Sequence, residues 1–150
     1  DYLFIDLPPG TSSDSINIMQ FIPKLDGAIV ITIPSSVSQN VAKKAGILCN
    51  KAKVKVFGVI ENMSGFICPH CGKKSNILSS GGGIKLAKEL KVPFLGRIPL
   101  DSRLSRLTDK GKPFAGAFPK GAASIALRRI AANLDLELNS KNYLSQGESI

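Results

Sequence analysis

The sequence predicts an α/β fold in which a mostly parallel sheet carries helices on both faces. Apolar, β-branched runs alternate along the chain with segments of helical periodicity. The strand-like runs are continuously apolar, which is typical of parallel strands buried on both faces. Strands that alternate with helices form βαβ units within one sheet. The chain shows no internal repeat or domain boundary, so we expect one domain over residues 1–138 and a polar, frayed tail over residues 139–150.

The first 61 residues predict three strands and two helices. Residues 2–5 are apolar and lead into Asp6, and the prolines that follow stop a ladder, so a buried strand is expected there. Further strands are expected over 28–33 and 54–61. A helix over 14–23 has Ser12, Ser13 or Asp14 as its cap. The next helix begins at Ser35 or Ser36, and its apolar face is predicted to carry Val37, Val41, Ala45, Leu48 and Cys49.

The second part of the chain opens with an irregular stretch over 62–83 that ends in three glycines. We expect a helix over 84–90, a strand over 92–98, a short helix over 100–107 and a loop rich in glycine and proline over 110–118. The last helix is predicted over 122–138. Its apolar residues recur with a period of 3.6, at Leu127, Ile130, Ala131, Leu134 and Leu138.

The composition favours a cytoplasmic protein. No apolar run reaches the roughly 18 residues of a membrane span, and three sparse cysteines argue against a secreted disulfide framework. The net charge is +9, but the lysines and arginines are scattered from Lys24 to Lys141 without a long basic run. We therefore expect neither a nucleic-acid nor a membrane partner. The chain begins with Asp1 and enters an apolar strand at once, from which we expect a piece of a longer protein.

Asp6 and Gly10 form the first candidate site. Asp6 stands at the carboxyl end of a predicted strand, where open parallel sheets bind their ligands. A carboxylate there can hold hydrated Mg²⁺, and the backbone N–H of Gly10 can approach a terminal phosphate. The alternative is that Asp6 simply ends a strand before a proline turn and binds no ligand, since that arrangement would have the same spacing. No Gly-x-x-x-x-Gly-Lys-Ser/Thr loop occurs in the chain, so its residues include no phosphate cradle.

Cys68 and Cys71 form the second candidate site, in the loop Cys-Pro-His-Cys-Gly. Two thiolates at this spacing are half of a tetrahedral site for zinc or an iron–sulfur cluster. A two-fold symmetric dimer would complete a Cys₄ set. Disulfide exchange and an inert loop are the alternatives, although the residues that follow do not predict the helix that disulfide oxidoreductases use. His70 is a weaker candidate ligand, and Cys49 is expected in the core.

With these motifs in hand, the chain resembles the Mrp/ApbC (Nbp) family of MinD-like P-loop ATPases, which are iron–sulfur cluster carriers. The resemblance covers about residues 1–118 and is most specific where Asn-Met-Ser precedes the Cys-x-x-Cys pair. The resemblance implies that the chain is the C-terminal part of a single, partial P-loop NTPase domain. The matching segments are Asp-Tyr-Leu-Phe-Ile-Asp-Leu-Pro-Pro-Gly-Thr (1–11), Asp-Gly-Ala-Ile-Val-Ile-Thr-Ile-Pro (26–34), Gly-Val-Ile-Glu-Asn-Met-Ser (58–64), Phe-Ile-Cys-Pro-His-Cys-Gly (66–72), Phe-Leu-Gly-Arg-Ile-Pro-Leu-Asp (94–101) and Gly-Lys-Pro (111–113).

The resemblance also implies roles for individual residues. Asp6 would be the Walker-B-like acid near Mg²⁺, Gly10 would lie in a switch that senses the γ-phosphate, and Asn62 would contact adenine beside Pro99 and Asp101. Cys68 and Cys71 would bind a labile [4Fe–4S] cluster shared across a homodimer and delivered to apo iron–sulfur proteins. The family hydrolyses ATP, but its Walker A segment is absent from this sequence, so no catalytic residue is assigned.

Two other functions fit the same residues. A zinc knuckle in a dimeric binding module would use the cysteine pair without a cluster. A MinD/ParA-type regulatory ATPase would use the basic surface instead. The cysteine pair speaks against the regulatory ATPase, and so do the last twelve residues, which are too polar for a membrane-targeting helix.

Overall fold

The computed structural model describes residues 2–22, 24–68, 70–77 and 79–145. Within that part of the chain, helices and strands alternate as the sequence predicts. Their order and bounds are α1 (Ser13–Phe21), β1 (Ala28–Thr32), α2 (Ser36–Lys51), β2 (Val56–Glu61), β3 (Phe66–Ile67), β4 (Lys74–Ser75), α3 (Gly82–Leu90), β5 (Phe94–Arg97), α4 (Ser102–Thr108), α5 (Phe114–Ala117) and α6 (Ala122–Ser145).

The main sheet of the described residues has three parallel strands in the order β1-β2-β5. Ile31 lies opposite Ile60, and Val59 lies opposite Phe94, so β2 is the central strand. Helix α2 connects the first pair of strands and α3 the second, because parallel neighbours need a crossover. Strands β3 and β4 form a separate antiparallel hairpin inside the connection from β2 to α3.

The core lies on both faces of this sheet. On one face, Val59 packs with Leu86 and Leu90 of α3 and with small residues of α2. On the other face, Ile60 packs with Leu95 and with Ile130 of α6. Consecutive residues of β2 thus face opposite sides, as the pleat requires, and all six of its residues are buried. The predicted α/β fold with helices on both faces is confirmed.

Residues 2–5 do not form the buried strand that their apolar composition predicts. No strand is assigned there, and the exposed fractions of Leu3 and Phe4 are 86% and 68%. A buried parallel strand needs neighbouring strands that pair with its edges and helices that cover its faces. The described sheet contains only the strands β1, β2 and β5, and none of them pairs with residues 2–5. The Tyr2 hydroxyl instead donates to Oδ1 of Asp135 in α6 at 2.6 Å.

Helix α2 begins where the serine cap predicts but buries a different face. Ser35 is the N-cap and accepts a hydrogen bond from the backbone of Ser38. The predicted face included Val37, which is 73% exposed, whereas the buried residues are Ala42, Gly46 and Cys49. Small residues are needed because α3 lies close: a Cβ at Gly46 would stand 2.6 Å from Cδ1 of Leu90. The prediction for Cys49 is therefore correct, although the prediction for Val37 is wrong.

Three other regions differ from the sequence prediction: two predicted loops contain short elements, and the last helix is longer. The stretch over 62–83, expected to be irregular, contains the β3–β4 hairpin, and the loop over 110–118 contains the short helix α5. Helix α6 passes residue 138 and extends to Ser145, so part of the predicted frayed tail is helical. The last five residues of that tail, 146–150, lie outside the described residues. In the part of the chain that the structure describes, every helix is too short or too polar to cross a bilayer.

Candidate functional site

Cys68 and Cys71 lie at the tip of the β3–β4 hairpin. The hairpin closes through two backbone hydrogen bonds: Cys68 N–H donates to the Lys73 carbonyl at 3.0 Å, and Gly72 N–H donates to the Cys68 carbonyl at 2.9 Å. Gly72 has φ +68°, a left-handed conformation that glycine adopts without strain. The chain thus folds both cysteines into one tight turn, as the Cys-x-x-Cys-Gly spacing predicts.

The two thiols of this turn are free and accessible. Cys71 is exposed and Cys68 is half-buried, and neither is in a disulfide. Backbone N–H groups of Cys71 and His70, together with the thiol of Cys71, lower the pKa of Cys68, which favours the thiolate that binds metals. Cys49 is only 4% exposed, and burial raises the pKa of its thiol. Cys49 is thus a core residue, whereas the two hairpin cysteines are exposed enough to bind a metal or a cluster.

One copy of the chain brings two free thiols together at the hairpin tip. Among the described residues, no group of three or more His, Cys, Asp or Glu side chains converges where it could hold a metal ion. The hairpin tip therefore offers two soft sulfur ligands, a set that suits zinc or iron–sulfur clusters but does not saturate either. Because the tip faces solvent, a second copy can approach it.

The predicted nucleotide residues fall into two separate groups. Asp6 is exposed in a segment without assigned secondary structure, and Gly10 follows it in a turn with φ +89°. A Cβ at Gly10 would lie 3.8 Å from Cγ1 of Val41, which places this turn beside α2. The turn at Gly10 forms as the sequence predicts. The strand that was expected to present Asp6 at a sheet edge does not form.

The second group, Asn62, Pro99 and Asp101, lies where β2 and β5 end. The backbone N–H of Ser64 donates to the Ile98 carbonyl at 2.9 Å, and that of Leu100 donates to the Gly65 carbonyl at 2.8 Å. The segment after β2 is thus joined to the segment after β5. A cavity of about 180 Å³ opens beside this junction, and its lining includes Phe66, Pro99, Leu100, Asp101, Arg103 and Ala122.

Asp101 already has partners within the chain. Its carboxylate caps α4 by accepting the Arg103 backbone N–H at 3.0 Å, and it accepts two further bonds from the Arg103 guanidinium at 3.0 and 2.7 Å. The hydrogen bonds from the Arg103 guanidinium lower the pKa of Asp101. The carboxylate is therefore bound within the chain, at the start of α4 and in the wall of the cavity.

Glu61 is a site residue that the sequence reasoning missed. It ends the central strand β2, is fully buried and accepts hydrogen bonds from the Ser64 hydroxyl and from the backbone of Gly81 and Gly83. Burial alone would raise the pKa of Glu61, but the bonds from Gly83, Ser64 and Gly81 lower it overall. The signal that could have found it is an acid at the end of an otherwise apolar strand, together with the run of three glycines about twenty residues later.

The comparisons with known proteins decide the family. A model of the ParA family, described as NUBPL iron-transfer P-loop NTPase, matches residues 1–135. The chain belongs to this family. It is 45% identical to the cytosolic Fe-S cluster assembly factor NUBP2 of Gallus gallus over 89% of its length, and 51% identical to the iron-sulfur cluster carrier protein of Methanocaldococcus jannaschii over 75%. It spans 50% and 39% of those two relatives, about half their length or less.

Two solved structures agree with the fold. A nucleotide-binding protein from Archaeoglobus fulgidus, in complex with ADP, is 36% identical and superimposes with a TM-score of 0.61 over 71% of this chain and 43% of that one. MinD from Aquifex aeolicus superimposes with a TM-score of 0.59 over 93% of this chain and 50% of its own, at 22% identity, and shows the fold alone. The predicted family and the MinD-like fold are confirmed.

Proposed function

We propose that this chain is part of a cytoplasmic iron–sulfur cluster carrier that binds a labile [4Fe–4S] cluster between two copies of itself. The observation that carries the proposal is the exposed hairpin tip, where two thiols converge with no further ligand among the described residues. The family role in iron transfer supports the choice of cargo, and the relatives named as cytosolic assembly factors support the location.

In this proposal the cluster is a substrate that the protein holds and gives away. Cys68 and Cys71 of each copy would supply the four thiolates of a Cys₄ set. The accessible position of Cys71 suits transfer, because the sulfurs of an apo iron–sulfur protein can approach a cluster at a solvent-facing tip. The lowered pKa of Cys68 keeps the thiolate available when the cluster leaves.

ATP and Mg²⁺ belong to the proposal only for the longer proteins of the family. Asp6 would act near Mg²⁺ and Gly10 near the terminal phosphate, while Asn62 and the backbone of Pro99 and Asp101 would contact the base. The cavity beside residues 99–101 and the ADP named for the Archaeoglobus fulgidus relative support a nucleotide at this end of the sheet. Hydrolysis in those proteins would modulate transfer.

Anaerobic reconstitution with iron and sulfide tests the carrier role. We expect a brown dimer with about four iron atoms per two chains, as a Cys₄-ligated cluster requires. Cys68→Ser should abolish this species. The matched control is Cys49→Ala, which alters a thiol of the core and should leave iron uptake unchanged. Equal iron retention in the two variants, or stoichiometric zinc without cluster uptake, would contradict the proposal, and the zinc result would favour a structural knuckle.

A further inference from the structure

Glu61 is a charged residue without solvent exposure at the carboxyl end of the central strand of the sheet. A buried carboxylate is stable only when hydrogen-bond donors replace the water that it loses. Three donors converge on it. The Ser64 hydroxyl and the Gly81 backbone N–H, at 3.0 Å, donate to Oε1, and the Gly83 backbone N–H donates to Oε2.

These donors stand on both sides of the cysteine hairpin. Ser64 precedes β3, whereas Gly81 and Gly83 follow β4 and begin α3. Gly81 is the N-cap of α3 and provides no side-chain cap, so its own N–H and the N–H of Gly83 in the first turn are satisfied by a carboxylate from another element. One side chain thereby closes the base of the loop that carries Cys68 and Cys71.

The local sequence is adapted to this closure. A Cβ at Gly83 would stand 2.7 Å from Cβ of Glu61 and 3.0 Å from Cε2 of Phe94, so a larger residue would push the helix away from the carboxylate. Gly81 has φ +92°, the left-handed conformation that favours glycine. Two of the three glycines that end the loop, Gly81 and Gly83, are therefore explained by the need of α3 to reach Glu61.

The same residue is joined to the segment of the predicted base pocket. The backbone N–H of Ile98 donates to the Glu61 carbonyl at 2.8 Å, and Ser64 N–H donates to the Ile98 carbonyl at 2.9 Å. Phe66 continues this ladder as a parallel bridge to Leu100. The cysteine hairpin and the segment over 98–101 therefore share one set of hydrogen bonds that begins at Glu61.

We propose that Glu61 is a positioning residue: its carboxylate fixes the cysteine hairpin relative to the segment over 98–101 and thereby sets how firmly the hairpin holds its cluster. The inference rests on the proposed function for the cluster, but its geometric part stands on the apo chain alone. Glu61→Gln keeps the size of the side chain and replaces one acceptor by a donor, which opposes the N–H of Gly81 or Gly83.

The geometric part is tested by a distance between spin labels on the apo chain. One label is placed on Cys71 and the other at Ser102→Cys, an exposed position next to the base pocket, in a Cys49→Ala, Cys68→Ser background. We expect a single narrow distance distribution, broadened by Glu61→Gln and, to a smaller extent, by Ser64→Ala. Ser64→Ala also serves if Glu61→Gln does not fold. An unchanged distribution in the variants overturns the proposal.

Ser38→Ala is the matched control. Ser38 lies near the end of β1, where its hydroxyl accepts the Ile33 backbone N–H at 3.3 Å, so the variant removes a comparable hydrogen bond outside the hairpin. It should leave the label distribution unchanged. A broadening by Ser38→Ala equal to that by Ser64→Ala would show general loosening of the sheet and would overturn the proposal.

The functional part is tested on the reconstituted protein. Residues that support metal ligands typically change metal retention 10- to 100-fold, so we expect Glu61→Gln to lose iron to a chelator about tenfold faster than the unaltered chain. Ser38→Ala should lose iron at the original rate. A broadened label distribution with unchanged iron loss overturns the positioning role. If the unaltered chain takes up no cluster, the proposed function fails, and the label distances alone decide the role of Glu61.

Discussion

The cysteine hairpin and the amino-terminal segment over 2–10 were both predicted to carry functional residues, yet only the hairpin takes its predicted local structure from contacts within this chain. The hairpin is closed by its own backbone bonds, and its base is held by Glu61 in the central strand. The amino-terminal segment has exposed apolar side chains and no assigned strand. A turn needs only local hydrogen bonds, whereas a parallel strand needs neighbours along its edges.

The largest expected effect contrasts a leucine of the packed sheet with a leucine of the amino-terminal segment. Leu95 is 2% exposed and packs between β2 and α6, so Leu95→Ala should lower the free energy of unfolding by about 2 to 5 kcal/mol through the cavity that it leaves. Leu3→Ala, at an 86% exposed position, should change that free energy by less than about 0.5 kcal/mol. Urea denaturation followed by circular dichroism measures both. A large loss for Leu3→Ala would mean that the amino-terminal segment is packed after all.

A smaller effect is expected from the two acids assigned to nucleotide binding. Asp101→Ala removes the cap of α4, which should cost about 1 kcal/mol. Asp6 is exposed and unsupported by a strand, and Asp6→Ala should not measurably change the urea midpoint. Equal destabilisation by the two variants would show that Asp6 has a structural role within this chain, contrary to its exposed position.

The contribution of Asp101 should also depend on pH. Its pKa in the folded chain is lowered by Arg103, below the value of about 3.9 typical of an unfolded aspartate. The stabilisation is therefore complete above the unfolded pKa and is lost as the pH falls through the folded pKa. The difference in unfolding free energy between the unaltered chain and Asp101→Ala should shrink in acid below about pH 4. A difference that is constant down to pH 2 would show that the carboxylate charge is not involved.

The smallest effect concerns the hydrogen bond between Tyr2 and Asp135. Both groups are at the surface, where such contacts compete with water. Tyr2→Phe should leave the urea midpoint unchanged and should increase only the rate at which protease cleaves near the amino terminus. A shift of the whole unfolding transition would show that this contact holds more than the segment on which it lies.

Several elements could be predicted because their causes are local. The serine cap at Ser35 begins α2 as expected, and the continuous apolar run before Glu61 is the buried central strand. The Cys-x-x-Cys-Gly spacing predicted the turn and the accessible thiols. The buried face of α2 was not predictable in the same way, because a helix with apolar residues on several sides buries the face that its neighbours can approach most closely.

The sequence by itself determined the alternation of strands and helices, the cysteine turn and the family resemblance that the comparisons confirm. These follow from side-chain periodicity, backbone preferences and motif spacing, which act within a few residues. Only the tertiary structure decided that residues 2–5 are exposed and that Glu61 joins both ends of the cysteine loop. Both depend on which segments, twenty or more residues apart, supply hydrogen-bond partners to one another, and spacing along the chain does not encode that choice.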